Sequence, residues 1–234
     1  MTLNEVTISR AILEEQHRTF IDYLDMDAAV IGGGPSGLAC AALLGERGAR
    51  CALIEKKLSV GGGMWGGGMM FPRIVVQEEA RRLLDRFGIA YREFEPGYYV
   101  AKSVEAVSKL TAAACDAGVE FFNLTTVEDV MVRGDGRVGG LVINWTPVDM
   151  AGLHVDPLTE RKGGRLQVKG ESFMWAERAE SQILDHTKEV FPGLFVTGMA
   201  ANAVAGECRM GPIFGGMLLS GERAAELVAE RLGR

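Results

Sequence analysis

The stretch from Ala28 to Glu55, AAVIGGGPSGLACAALLGERGARCALIE, decides the fold. It joins a short apolar run, a glycine-rich turn, an amphipathic stretch and a second apolar run. Gly32, Gly34 and Gly37 have the G-x-G-x-x-G spacing, and the second run ends at an acid about twenty positions on, where a carboxylate can bind a ribose diol. This pattern predicts a nucleotide-binding βαβ unit.

Each glycine of the turn has a different physical task. Gly32 can adopt a conformation closed to other residues, and Gly34 leaves room for a pyrophosphate to approach main-chain N–H groups. Gly37 lets the helix pack close to the strand, and Pro35 suits the first turn of a helix. The unpaired amides and the dipole at the helix start then favour an anion. A purely structural turn could carry the same glycines, but these follow a strand, open a helix and precede Glu55.

Length and composition restrict the class of protein. The 234 residues suffice for a full core, and we predict one nucleotide-binding domain over residues 1–234. With a net charge of −6 and no basic run, nucleic acid is not an expected partner. No apolar stretch reaches the length of a membrane span or an export signal, so we expect a cytoplasmic protein with no membrane partner. Four scattered cysteines are interpreted as reduced thiols: Cys40, Cys51, Cys115 and Cys208.

Hydrophobic periodicity predicts the elements around the βαβ unit. Residues 7–24 are predicted to form a helix that docks on the sheet or on a neighbouring subunit. Helices are also predicted over residues 77–87 and 103–117, with Ser103 as a possible N-cap of the second.

The second half of the chain changes period. Three strand patterns predict an antiparallel β insertion over about residues 119–150, with a hairpin turn at Gly134-Asp135-Gly136. Residues 194–232 are predicted to form a buried strand and then a long helix with Pro212 in its first turn. The fold class is therefore α/β, a Rossmann-like two-dinucleotide-binding fold with a central parallel sheet and an antiparallel β insertion.

A glycine-rich loop follows the acidic end of the second strand. Its sequence, KKLSVGGGMWGGGMMFP, begins at Lys56 and contains six glycines. Such a loop either moves or brings its backbone close to a ligand. Because it follows Glu55, beside the expected nucleotide, we favour ligand contact.

Two polar stretches are candidates for chemistry. His154 and Asp156 are two residues apart and point the same way in an extended chain, so both can reach one metal ion or substrate. Two ligands alone make a poor metal site, so spacing alone leaves a structural role open. Two other histidines, His17 and His186, are interpreted as surface residues.

Arg209 is the second candidate. It follows a glycine turn before the long helix, where its guanidinium can bind a carboxylate with help from the helix dipole. Pairing of Arg209 with a core acid is the alternative.

The strand pattern near the C-terminus, PGLFVTGMA, argues against FAD as the cofactor. In flavin enzymes of the two-dinucleotide-binding type, this strand ends in Gly-Asp, and the carboxylate holds the ribityl chain of the flavin. The present sequence reads PGLFVTGMA and has Met199 at the position of that acid. The expected dinucleotide is therefore not FAD, and an FAD-dependent oxidoreductase is the alternative function.

Several blocks together resemble the Thi4 thiamine thiazole synthases. They are GGGPSGL, IEKKLSVGGGMWGGGMMF, GLHVDP, SFMWAERAE and VFPGLFVTGMAANAV, followed by RMGPIFGGMLLSG. The resemblance implies an enzyme of the transferase class that converts NAD and glycine to an adenylated thiazole carboxylate and releases nicotinamide. NAD is then a substrate. Eukaryotic members take sulfur from a cysteine of their own. The present sequence has His154 at that position and in this resembles the archaeal members, which use sulfide and Fe(II) over many turnovers.

The resemblance also implies roles for individual residues. Arg209 matches the residue that holds the glycine carboxylate. The segment His154, Val155 and Asp156 matches one offered to the site of a neighbouring subunit, with Asp156 as an iron ligand, which implies a homo-oligomer, octameric in the family. The positions that match the NAD contacts of the family are Ser36, Glu55, Lys56, Gly63, Val127 and Met199.

The sequence departs from the family between Leu158 and Ser172. Family members have another strand there and a D-A-T-G-H block whose histidine is the second iron ligand, but this sequence reads LTERKGGRLQVKGES. Either the protein has lost the segment, or the segment is present in the protein and missing from the sequence. We favour the second, because removing a core strand should cost more than marginal stability allows. In the first case, a non-catalytic protein that binds NAD or the ADP-thiazole is the alternative.

Overall fold

A computed structural model describes residues 3–146 and 169–234. Its helices are α1 (Glu5–Asp22), α2 (Pro35–Glu46), α3 (Glu78–Arg86), α4 (Ser103–Asp116), α5 (Ala176–His186), α6 (Met199–Ala205) and α7 (Gly215–Leu232), with a short 3-10 helix at Gly62–Gly66. Its strands are β1 (Ala28–Ile31), β2 (Cys51–Glu55), β3 (Arg73–Gln77), β4 (Tyr91–Glu95), β5 (Tyr98–Lys102), β6 (Glu120–Asn123), β7 (Thr125–Val132), β8 (Val138–Trp145), β9 (Lys188–Phe191) and β10 (Leu194–Val196).

The predicted βαβ unit is confirmed. β1 and β2 pair in parallel, with Ala28 opposite Cys51, and β6 joins the other edge of β2, also in parallel. Helix α2 is apolar on all sides, so it can only be stable in the interior. Every residue from Pro35 to Leu44 is buried, and α2 packs against α4 and α7. This packing holds the glycine turn at the N-terminus of α2 on a rigid support.

The close approach of α7 to α2 depends on a small residue. A Cβ atom at Gly221 would lie 2.3 Å from the carbonyl oxygen of Ser36. Only glycine allows the two backbones this distance. The contact ties α7 to the first turn of α2, where the nucleotide is expected.

An antiparallel sheet of three strands, in the order β3-β5-β4, was missed by the sequence analysis. Its strands have five residues each, and β4 and β5 are joined at Pro96 and Gly97, where the glycine has φ +84°. Such short strands give little periodicity, but Pro-Gly between two aromatic runs was an available turn signal.

The predicted β insertion is shorter than expected. Its first strand, β6, belongs to the parallel sheet, so the antiparallel part is the β7–β8 hairpin over residues 125–145. The hairpin turn contains Gly136 in a left-handed conformation, as its sequence predicted. The prediction placed β6 wrongly because a strand pattern does not reveal which neighbour the strand will pair with.

The N-terminal helix docks only at its C-terminal end. The ring of Phe20 stacks on Phe122 of β6 with centroids 4.9 Å apart, and Tyr23 meets the same ring edge-on. Ile12 is 65% exposed, and α1 has no buried residue. Docking on the sheet is thus confirmed for one end of the helix, whereas contact with a neighbouring subunit stays a prediction.

Two helix starts and one strand differ from expectation. Ser103 is the first residue of α4 rather than its N-cap, and its hydroxyl donates to the carbonyl oxygen of Trp65 at 3.0 Å. Pro212 precedes α7, whose N-cap is Phe214. β10 is half-buried; among the described residues it pairs only with β9, in a two-stranded sheet. Within residues 3–146 and 169–234, no helix is long and apolar enough to cross a membrane.

Candidate functional site

The glycine turn between β1 and α2 has the geometry of a phosphate-binding turn. Gly32 has φ +93°, a conformation that favours glycine. A Cβ atom at Gly37 would lie 2.0 Å from the carbonyl oxygen of Gly32, so the helix start and the strand end touch through backbone alone. Gly34, the N-cap of α2, has open space where its Cβ would be. The conformational role of Gly32 and the packing role of Gly37 are confirmed, whereas the approach of a pyrophosphate at Gly34 stays a prediction.

Glu55 fixes the shape of this turn. The carboxylate is buried at the end of β2; its Oε2 accepts from the Gly33 amide and its Oε1 from the Lys57 amide, both at 2.8 Å. A carboxylate has about four lone-pair positions, so each oxygen can still accept a hydroxyl. Sequence spacing predicted a ribose ligand for Glu55 but not this second task, which is to tie the turn to the strand.

The glycine-rich loop lies over the turn. The Gly61 amide donates to the Gly33 carbonyl at 2.6 Å, and a Cβ at Gly62 would lie 3.3 Å from the Cα of Gly34. Met64, in the 3-10 helix, is fully buried. The glycines therefore let this loop pack on another backbone, a use that neither interpretation of the sequence had considered.

The same loop leads from the nucleotide turn to the turn that holds Arg209. A Cβ atom at Gly68 would lie 2.1 Å from the Cα of Pro212, three residues after Arg209. The glycine-rich loop thus contacts the glycine turn through Gly61 and Gly62, and it contacts the turn that holds Arg209 through Gly68. This contact places the two predicted binding elements on the borders of one loop.

Arg209 is held by its backbone and leaves its guanidinium exposed. Its amide donates to the Phe173 carbonyl at 3.2 Å, and its carbonyl accepts from the Trp175 amide at 3.1 Å. Across residues 3–146 and 169–234, the Arg209 side chain has no ion pair or hydrogen bond. Pairing with a core acid, the alternative interpretation, is therefore not found in the described part of the chain.

The start of α7 does not offer the anion site that the sequence predicted. The Gly216 amide donates to Oε2 of Glu180 at 2.7 Å, and Nε2 of Gln77 donates to the same oxygen at 2.6 Å. The protein thus supplies its own carboxylate to this helix end, because a negative charge is stabilised at the positive end of the helix dipole. Burial raises the pKa of Glu180, while the two hydrogen bonds oppose that rise. Arg209 must therefore act without help from this dipole.

The remaining predicted NAD contacts fall into two groups. Lys56 and Gly63 are exposed beside the turn. The side chain of Val127 packs on Ala52, Ile54 and Phe122, and that of Met199 packs on α5.

Hydroxyl groups connect the turn to the C-terminal half of the chain. The Ser36 and Thr197 hydroxyl oxygens are 2.7 Å apart, and Thr197 and Ser220 are also 2.7 Å apart. The Gly198 amide donates to Ser220, so Gly198, just before Met199, is held by the same network. Sequence analysis missed this network, because its members are scattered along the chain.

The candidate metal ligands His154 and Asp156, with Val155, lie outside the described residues. Within the described residues, no group of three or more His, Cys, Asp or Glu could hold a metal. His17 is exposed as predicted, but His186 is half-buried with its Nε2 covered, so its interpretation as a surface residue was wrong. It ends α5, which packs on α7.

The cysteines are free thiols, as predicted. Cys40, Cys51 and Cys208 are buried and Cys115 is exposed. Burial raises the pKa of both Cys40 and Cys51 to about 12. These two thiols stay protonated at neutral pH and are poor nucleophiles.

The parallel sheet, the glycine turn and the buried acid at the end of β2 define a dinucleotide-binding protein of the Rossmann-like class. The model of the Thi4 family matches residues 9–163 and 160–214, and the chain belongs to this family.

Close relatives extend over the whole chain. It is 84% identical to the thiamine thiazole synthase of Methanoculleus marisnigri and 55% identical to that of Methanococcoides burtonii, with 100% of both chains covered in each case. The crystal structure of Thermovibrio ammonificans THI4 superposes with a TM-score of 0.92 at 44% identity and 100% coverage of both chains.

The comparisons also bear on the departure between Leu158 and Ser172. The alignment with the M. marisnigri enzyme spans 254 positions, 20 more than the 234 residues of this chain. The family match consists of two segments that meet at residues 160–163, inside the departing stretch. Relative to that enzyme, the sequence therefore lacks a segment of about twenty residues.

Proposed function

We propose that this protein is a thiamine thiazole synthase that converts NAD, glycine and sulfide to an adenylated thiazole carboxylate and releases nicotinamide. The observation that carries the proposal is the loop that borders both the glycine turn and the Arg209 turn. One ligand bound along this loop could present its pyrophosphate to the turn and its reacting ribose toward Arg209. Family membership and the names of the relatives support the same activity.

In this proposal, the chain's own residues bind and orient the two organic substrates. The backbone N–H groups of Gly34, Ser36 and Gly37 hold the pyrophosphate, since Pro35 has no N–H, and Glu55 accepts from a ribose. Arg209 binds the glycine carboxylate with two parallel hydrogen bonds, which aims the amine at the sugar carbon.

The proposed sulfur source and metal are based on two residues of the sequence, His154 and Asp156. His154 stands where a donating cysteine would be, so sulfide is the proposed sulfur source and the enzyme turns over many times. Asp156 is the proposed Fe(II) ligand, and bound iron would supply a Lewis acid that holds sulfide near the substrate. The described residues by themselves contain no group of three or more His, Cys, Asp or Glu that could hold a metal.

We also propose a cytoplasmic homo-oligomer, an octamer as implied by the family, with sites shared between subunits. The exposed apolar residues of α1 support a subunit contact, because Ile12 and Leu13 are 65% and 66% exposed in the single chain.

An anaerobic assay with NAD, glycine, sulfide and Fe(II) tests the proposed function. We expect nicotinamide and a thiazole product in amounts that exceed the enzyme. The matched His154→Cys variant tests the sulfur source: without sulfide, it should lose the mass of hydrogen sulfide if position alone makes a donor. Binding of NAD without product would instead select the non-catalytic alternative.

The alternative of an FAD-dependent oxidoreductase is not favoured, because the chain belongs to the Thi4 family. Met199, which follows β10 as the first residue of α6, also argues against it, whereas flavin absorbance of the purified protein would favour it. Absence of flavin absorbance together with NAD binding would remove this candidate.

A further inference from the structure

Four hydroxyl groups form a continuous chain from the nucleotide turn into the interior. The oxygens of Ser36 and Thr197 are 2.7 Å apart, those of Thr197 and Ser220 2.7 Å, and those of Ser220 and Thr187 2.6 Å. Thr187 ends the chain at the Ile183 carbonyl, 2.8 Å away. Ser220 is fully buried, Thr187 is 3% exposed and Ser36 is 7% exposed, whereas Thr197 is half-buried.

Counting protons fixes the direction of the chain. It contains four oxygen–oxygen contacts, and each needs one hydrogen at these distances. Four hydroxyls supply four hydrogens. A carbonyl oxygen cannot donate, so Thr187 must donate to Ile183. Each remaining hydroxyl must then donate inward, from Ser220 to Thr187, from Thr197 to Ser220, and from Ser36 to Thr197.

The backbone supports this direction at Ser220. The Gly198 amide donates to the Ser220 oxygen at 2.8 Å. With the Thr197 hydroxyl, it fills both lone pairs of Ser220, whose own hydrogen goes to Thr187. Reversing the chain would leave the short contact between Thr187 and the Ile183 carbonyl without a hydrogen, a costly arrangement in the interior.

We infer that the hydroxyl of Ser36 meets its ligand only as a hydrogen-bond acceptor. Its one hydrogen is committed to Thr197, while its lone pairs accept from no donor among the described residues. Phosphate oxygens at neutral pH only accept, so the Ser36 side chain does not bind the pyrophosphate. The donors of a dinucleotide nearest to its pyrophosphate are ribose hydroxyls. Ser36 thus selects a ribose hydroxyl, and Thr187, three hydroxyls away, is a positioning residue that maintains this selection.

This inference rests on the proposed binding of NAD, and Thr187→Val tests it at the far end of the chain. Valine has the shape of threonine but leaves the Ser220 hydrogen without its acceptor. Binding a ligand donor at Ser36 would then bury an unsatisfied hydroxyl, so we expect NAD affinity to fall about fivefold. Thr187→Ser keeps the hydroxyl and should bind NAD within about twofold of the original protein.

A double-mutant cycle separates this effect from general loosening of the structure. In a Ser36→Ala background the acceptor is gone, so Thr187→Val should no longer change the dissociation constant for NAD measured by calorimetry. An equal loss in both backgrounds, or no loss with Ser36 present, overturns the inference while the proposed function stands. Failure of the unsubstituted protein to bind NAD overturns both.

Discussion

At the residue scale, two charged side chains define the proposed substrates, and each is set up differently. Glu55 is buried and has both oxygens on backbone amides, so its role in binding cannot be separated from its role in shaping the turn. Arg209 is exposed and is held only through its backbone. Substitution of Glu55 should therefore lower both stability and NAD binding, whereas substitution of Arg209 should weaken the use of glycine and leave stability unchanged.

Arg209→Lys should weaken the use of glycine while leaving NAD binding intact. Lysine keeps the charge but loses the two parallel hydrogen bonds, so we expect KM for glycine to rise about tenfold. The thermal midpoint should hardly change, because the guanidinium has no partner within residues 3–146 and 169–234. Steady-state kinetics at saturating NAD measure the effect. An unchanged KM for glycine would remove Arg209 from the site.

Glu55→Ala should damage the fold as well as the site. It leaves the amides of Gly33 and Lys57 without their acceptor, and two hydrogen bonds to a charged group are worth about 3 kcal/mol together. We expect the unfolding free energy to fall by about that amount and NAD binding to be lost. Urea unfolding checks the first part. A stable variant that fails only in binding would mean that the turn keeps its shape without Glu55.

At the element scale, the start of α7 shows why part of the structure was predictable and part was not. The glycine turn could be predicted because its backbone demands appear within six consecutive positions. The Glu180 cap joins residues 36 positions apart, and the Ser36–Thr197 contact joins residues 161 apart. No local pattern encodes such pairs. The same electrostatic rule that predicted an anion at this helix start applies, but it could not reveal that the anion is a side chain of the protein.

The Glu180 cap predicts a stabilising substitution. Oε1 of Glu180 and Oε1 of Gln77 are both buried without a hydrogen-bond partner among the described residues. Glu180→Gln keeps one acceptor for Gly216 and Gln77 and adds an N–H group that can satisfy the Gln77 oxygen. We expect a gain in unfolding free energy of about 1 kcal/mol at pH 7.

The pH dependence of this gain follows from the pKa of Glu180. Burial raises that pKa in the folded state, so the stability associated with this group is fully present when it is protonated and is lost as the pH rises through the folded pKa. The advantage of the Gln variant should therefore grow from about pH 4, near the unfolded pKa, toward neutral pH. Thermal unfolding over this range measures it. The Glu180→Ala control should be destabilised, and a Gln variant less stable than the original at pH 7 would contradict the argument.

At the scale of the whole molecule, the length of the chain decides whether the proposed site is complete. The chain has three histidines, at positions 17, 154 and 186, so the histidine of the family's D-A-T-G-H block has no counterpart in the sequence. His17 is on α1 and His186 ends α5, and within the described residues neither belongs to a group that could hold a metal. In the proposed function, a second iron ligand would therefore have to come from a segment of about twenty residues like the one that the M. marisnigri enzyme has in addition.

The intact mass of the purified protein under denaturing conditions tests this dependence directly. If a core strand had been removed, the loss should exceed the 5 to 15 kcal/mol that stabilise a typical domain, so we expect a mass above the 25.2 kDa of these 234 residues by that of about twenty more. Turnover with Fe(II) and sulfide is then expected. A mass of 25.2 kDa would mean a real deletion, and a folded protein of that mass should bind NAD without forming thiazole. Thermal unfolding of the same sample distinguishes the two cases independently, because a chain that lacks a core strand should unfold at a markedly lower temperature than the 84% identical relative.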